Sequence, residues 1–192
     1  YSRLEEVKKV KNVDVLFLGS SHAYRGFDPR IFEEYGFSSF NLGSSAQTPI
    51  QTKVLLQRYL NQLHPKIIVF EVSPASFSID GVESALDVIA NDKNDCYSAE
   101  MAFKLNNMKV YNTLIYGAIR DVLRLNASFK EKVVKGSDTY ILGGFVLRKA
   151  EFFRHQSYPK NEWKFNDKQF ESFKEIVALL KKKQIPFILV NQ

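Results

Sequence analysis

The sequence predicts an α/β protein: a parallel sheet with helices on both faces, in three layers. Three observations predict it. Val13–Leu18 and Ile67–Phe70 are short, nearly continuous apolar runs, the pattern of strands buried on both faces. Segments of helical periodicity separate the strand candidates, and strands alternating with helices form parallel sheets through right-handed crossovers. The strand candidates also end in Gly, Ser and Asn, and such sheets carry their functional loops beyond the carboxyl ends of their strands.

Leu4, Val7 and Val10 recur at helical spacing among charged residues, so a short amphipathic helix or entry arm precedes the first strand, 13–18. Asp28-Pro29 combines an N-cap with a proline at the first helical position and opens a helix through Ile31 and Phe32, stopping near Gly36. A short second strand follows at 38–42. Thr48-Pro49 repeats the cap signal, and Ile50, Val54, Leu55, Tyr59 and Leu63 keep the helical period until His64-Pro65 ends it. The β-branched run at 67–72, between Pro65 and Pro74, is the third strand. Phe170, Phe173, Ile176, Val177 and Leu180 mark a late helix that feeds a fourth buried strand at 185–190.

About ninety residues separate the third and fourth strands, far more than one crossover needs. They read as a large helical insertion, about 78–165. It holds helical patterns at 82–91, 99–106 and 110–125, a Gly-bearing segment at 140–145 and an aromatic stretch at 152–165. The chain is expected to be one domain, 1–192, with its core in 12–77 and 166–192. A sheet that stops at its fourth strand leaves a costly open edge, so a further C-terminal part is expected to be missing.

A chain of 192 residues with 45% hydrophobic and 25% charged content buries a core without disulfides, and the lone Cys96 forms neither an internal bridge nor a zinc site. The net charge of +6 is spread over 27 Lys and Arg among 21 Asp and Glu, and its densest run, Lys181–Lys183, complements a helix end; nucleic acid is not an expected partner. Asp80, Glu83, Asp87, Asp92 and Asp95 fit no calcium loop, and no metal or organic cofactor is expected. No stretch approaches the ~20 apolar residues of a membrane span. The chain begins at Tyr1, which leaves room for a membrane anchor upstream.

The end of the first strand, Gly19-Ser20-Ser21-His22, is the most informative place for chemistry. A strand-to-helix turn presents a serine hydroxyl at the sheet rim, with backbone N–H groups able to hold an oxyanion. The same serines also suit a tight turn in which they only satisfy backbone groups. The phosphate-cradling patterns G-x-G-x-x-G and G-x-x-x-x-G-K-[ST] are absent. The second strand ends in Asn41-Leu42-Gly43-Ser44-Ser45-Ala46-Gln47 and the third in Glu71-Val72-Ser73-Pro74, so three strand ends can meet at one crevice.

In that order the chain resembles the SGNH (GDSL-like) hydrolases, whose fold is a flavodoxin-like α/β/α sandwich. The G-D-S-L-like block falls on residues 19–22 and the second-block glycine on Gly43. The resemblance implies Ser21 as nucleophile, an oxyanion hole from Ser21, Gly43 and Ser73, and substrate contacts from Ser20, His22 and Gln47. The flanking Phe27-Asp28-Pro29 and Asn41-Leu42-Gly43 look most like a divergent branch that includes cell-wall D-alanylation and exopolysaccharide O-acetylation proteins. That branch implies an extracytoplasmic protein acting on an acylated carbohydrate or other ester.

Two departures qualify it. The third-block asparagine is absent, leaving Ser73 or Gln47 as donor, and no Asp-x-x-His pair completes the triad before Gln192, so an acting histidine is expected beyond it. His22 would have to fold back on its neighbour, His64 suits a helix-end cap, and His155 sits among Phe152, Phe153 and Tyr158, where aromatic packing explains it. Trp163 and Phe165 suit either a sugar-stacking cleft or packing. The expected function is a serine esterase or acyltransferase. Its rivals are an inactive relative that binds polysaccharide or assembles a complex, and a nucleotide-binding module using the Gly19 turn.

Overall fold

The computed structural model describes residues 2–123, 125, 131–149 and 162–191. Four parallel strands form the central sheet: β1 (Val15–Leu18), β2 (Ser39–Asn41), β3 (Ile67–Glu71) and, late in the chain, β7 (Phe187–Val190). Their spatial order is β2-β1-β3-β7. The register pairs Phe17 with Asn41 and Val69, and Glu71 with Val190, so all four strands end at one edge.

Alternation along β1 assigns the layers. Leu16 and Leu18 join a buried cluster with Leu55, Leu56, Tyr59, Leu60 and Leu63 of α4 (Pro49–Leu63) and Ile176 and Leu180 of α9 (Asp167–Lys182). On the opposite face the Phe17 ring stacks on Phe27 at 4.6 Å and meets Phe32 of α3 (Pro29–Glu34) edge-on at 4.9 Å. Helices therefore cover both faces of the sheet, in three layers as expected. The N-terminal helix α1 (Ser2–Val7) closes the first cluster with Leu4 and Val7.

Both cap-and-proline signals start helices where expected. The Asp28 side chain accepts from the Arg30 N–H at the start of α3, and Thr48 and Gln51 form a capping box at α4. The remaining crossover helices are α2 (Ser21–Gly26) directly after β1 and α5 (Pro74–Ser78) after β3.

The insertion is only partly helical. Helices α6 (Val82–Asn91), α7 (Cys96–Leu105) and α8 (Met108–Leu123) build a second apolar cluster against Ile50 and Val54 of α4. The Gly-bearing segment is instead an antiparallel meander, β4 (Val134–Lys135), β5 (Asp138–Ile141) and β6 (Phe145–Arg148), turning at Gly143-Gly144. Its turn docks on the outer edge of β2, where the Asn41 N–H donates to the Gly143 carbonyl at 2.8 Å. The expected fourth strand is present but not buried: among the described residues β7 pairs with β3 alone, and Ile188 and Leu189 are 51% and 45% exposed. Among the described residues no helix is long and apolar enough to cross a membrane.

Candidate functional site

Three strand ends meet at the carboxyl edge of the sheet, and the group that ties them is Glu71, the last residue of β3. Its side chain is buried at 1% exposure and turns back under the β1–α2 turn. Oε2 accepts from the Ser20 N–H at 2.7 Å and from the Ser20 hydroxyl at 2.8 Å. Gly19 permits this approach: a Cβ there would lie 2.6 Å from Glu71 Oε2, and its φ of +139° is one that L side chains rarely adopt. The other oxygen, Oε1, is buried without a hydrogen bond among the described residues and lies 3.6 Å from His22 Nδ1.

The β2 end closes against the same turn. The Ser44 N–H donates to the Gly19 carbonyl at 3.3 Å, and a Cβ on Gly43 would sit 3.0 Å from the Ser20 carbonyl oxygen. Asn41, wholly buried, stitches the two loops: its Nδ2 donates to the Ala23 carbonyl at 2.8 Å and its Oδ1 accepts the Gly43 N–H at 2.9 Å.

The expected site residues thus separate into two groups. Ser20, expected as a substrate contact, is the N-cap of α2, accepting from the His22 N–H, and its hydroxyl donates to Glu71, which tethers the turn. Gly43, expected as an oxyanion donor, lies beside the serine turn, and its N–H donates to Asn41 Oδ1 in this structure. Gln47, expected as a substrate contact, is 1% exposed; it accepts from the Ser44 hydroxyl at 2.8 Å and donates to Thr52 Oγ1 at 2.9 Å, an internal bridge.

Ser21 stands apart as the first residue of α2. It is half-buried, and no hydrogen bond among the described residues engages its hydroxyl. His22 follows on the exposed side with its ring half open and its Nδ1 3.6 Å from Glu71 Oε1. Ser73, 5% exposed, caps α5 two residues past Glu71, and its carbonyl accepts from the Ser76 N–H and hydroxyl. His64 caps α4 at the other end of the sheet, in the left-handed conformation. His155, Phe152, Phe153 and Tyr158 lie outside the described residues. Trp163 is half exposed, and Phe165 packs edge-on against Phe77 at 6.2 Å.

Glu71 and Asn41 are the positioning residues that the sequence reading passed over. The signal for Glu71 was in view: a carboxylate closing an apolar strand must find donors once buried. Among the described residues, no group of three or more His, Cys, Asp or Glu side chains is placed to hold a metal ion.

No family model matches the chain. No curated protein matches it either. Among solved structures it is similar to the crystal structure of a Bacteroides fragilis protein named for an inferred acylhydrolase activity. The identity is 12% and the TM-score 0.32, over 97% of this chain and 74% of that one. At that identity and overlap the likeness does not reach the level of individual site residues.

Proposed function

We propose that this edge of the sheet is the acyl-transfer site of a serine ester hydrolase or acyltransferase, with Ser21 as nucleophile. The observation that carries the reading is the division of labour between two adjacent serines. Ser20 is locked to a buried carboxylate, and that lock holds the turn so that Ser21 is presented at the rim with its hydroxyl uncommitted.

Ser21 Oγ attacks the ester carbonyl carbon and the alkoxide leaves with a proton, giving an acyl-serine that water or a second hydroxyl cleaves. The N–H of Ser21 at the start of α2 faces the developing oxyanion, and Ser73 supplies a donor from the β3 end. The attack needs a proton acceptor. His22 is the imidazole that the described residues offer at this edge, whereas the SGNH resemblance assigns the role to an Asp-x-x-His segment. A cell-envelope setting and an acylated polysaccharide as substrate come from that resemblance too.

The commitments of Gly43 and Gln47 favour one second reading, a non-hydrolytic relative that binds acylated polymer, because they remove two expected oxyanion donors. A serine-directed fluorophosphonate probe and a short-chain nitrophenyl ester separate the two. The hydrolase reading expects covalent labelling and turnover, both lost in Ser21→Ala and retained in Cys96→Ala. Absence of labelling in the folded protein supports the binding reading, and labelling that persists in Ser21→Ala removes Ser21 as nucleophile.

A further inference from the structure

Among the described residues Arg58 and Arg3 are both largely buried, and they are compensated very differently. Arg58 of α4 is wholly buried and lies 2.8 Å from both Asp92 and Asp95, with the Ser98 hydroxyl as a further partner. Burial opposes its charge, but the bonds to Asp95 and Asp92 outweigh it, and its pKa is raised. Arg3 of α1 has a side chain only 11% exposed, yet its nearest carboxylate is the partly exposed Asp87 at 3.9 Å. One terminal nitrogen donates to the Gly43 carbonyl, and Nε is buried with no acceptor. Burial pushes its pKa down, with Asp87 too distant to restore it. A guanidinium does not give up its proton in a protein, so this cation is left short of negative partners.

Arg3 also borders a cavity of about 390 Å³ between α1, α2, α6, the loop after β2 and the β4–β6 meander. The cavity walls carry hydroxyls that no other group uses: the Tyr24 phenol and the exposed Ser45 side chain take part in none of the hydrogen bonds among the described residues. Lys132 adds a second cation, with no ion pair among the described residues, and Lys135 is paired to Glu131. Glu83 and Asp87 stand on the α6 wall and oppose an anion, and the meander side adds two further carboxylates, Glu131 bonded to Lys135 and Asp138 bonded to Arg25.

We propose that this cavity is a binding site for the anionic oxygens of a small ligand, a carboxylate or a phosphate, received by Arg3 and by the Tyr24 and Ser45 hydroxyls. The anion supplies the partner that Asp87 is too far away to be, and a planar guanidinium fork suits two-oxygen groups. The site adjoins the serine turn through Ser44 and Gly43 but uses none of its chemistry, so it stands independently of the ester reading.

Calorimetric titration and thermal melting of the whole chain, with malonate and with inorganic phosphate at constant ionic strength, test it. Saturable binding and a rise in melting temperature are expected with at least one anion, and the one that binds identifies the source. Arg3→Met should weaken binding at least tenfold, Arg3→Lys severalfold, and Glu83→Gln should tighten it. Ser21→Ala should leave it unchanged, which separates this site from the catalytic reading. If Arg3→Met does not fold, Arg3→Lys and Glu83→Gln read the same interaction. No saturable binding of either anion, or binding indifferent to Arg3 and Glu83, overturns the proposal.

Discussion

Replacing Ser20 and Ser21 one at a time by alanine should divide stability from chemistry. Ser20 donates twice to Glu71 Oε2, from its N–H at 2.7 Å and its hydroxyl at 2.8 Å, and the substitution deletes the second bond. A hydrogen bond to a charged group contributes about 1.5–3 kcal/mol, and the carboxylate it leaves behind is 1% exposed, so water cannot replace it. The same hydroxyl caps α2, accepting from the His22 N–H at 3.4 Å, a bond too long to add much. Ser20→Ala should therefore cost about 2–3 kcal/mol, which for a chain of this size lowers the melting temperature by roughly 4–12 °C. Ser21→Ala deletes a half-buried hydroxyl without a partner and should stay within about 0.5 kcal/mol of the wild type while abolishing esterase turnover. Urea denaturation followed by circular dichroism measures both. Adding Glu71→Gln to Ser20→Ala should cost less than the sum of the single changes, because the two share one interaction. If Ser20→Ala is neutral, or Ser21→Ala is the more destabilising, the assignment of tether and nucleophile is reversed.

Gly19→Ala forces a Cβ to 2.6 Å from Glu71 Oε2 at a φ of +139° and should cost more than about 2 kcal/mol; a melting curve like that of the wild type would mean that Glu71 does not lie under the turn. Arg58→Met strands the fully buried Asp92 and should cost about 3–5 kcal/mol in urea, with Asp92→Asn in the same chain recovering part of it; a loss below about 1 kcal/mol would contradict the buried pairing. The Lys66 ammonium, bonded to the Asp14 carboxylate, together with the Ser38 hydroxyl and N–H, holds that carboxyl down at about 2 against an ordinary 3.8. A folded-state value below the unfolded one gives stability that is present above pH 4 and is lost as pH falls toward 2. Melting temperatures from pH 5 to pH 2 should therefore drop less steeply in Asp14→Asn, and equal slopes would deny the shift.

Local rules were enough for the elements with local causes. Asp28-Pro29 and Thr48-Pro49 name the starts of α3 and α4 because a cap and a fixed φ act within one turn. The apolar runs of β1 and β3 named the central strands because burial on both faces leaves no alternation to misread. The meander was hidden for the opposite reason. Val134–Arg148 is mostly half exposed, with two-residue and four-residue strands whose faces differ little in polarity, so neither period stands out. What fixes it is a tertiary contact, the Gly143 carbonyl on the Asn41 N–H, between residues about a hundred positions apart.

The same distinction explains the site. That three loops share one edge follows from the order of strands and helices, and the sequence order alone implied it. Which donors are free does not, because Gly43 and Gln47 lose theirs to Asn41 and Thr52 through side-chain rotamers that no spacing encodes. Arg3 shows the effect most sharply. Helical spacing puts it one turn before Val7, at the margin of the apolar stripe of α1, where local spacing suits a solvated or a covered cation equally. Burial comes from elements that follow much later, Asp87 on α6 and Tyr140 on β5, so a residue unremarkable in its own helix becomes an under-compensated charge only when the insertion closes over it. A swap of Arg3 with its charged neighbours would leave the amphipathic pattern of α1 intact and still empty the cavity of its buried cation.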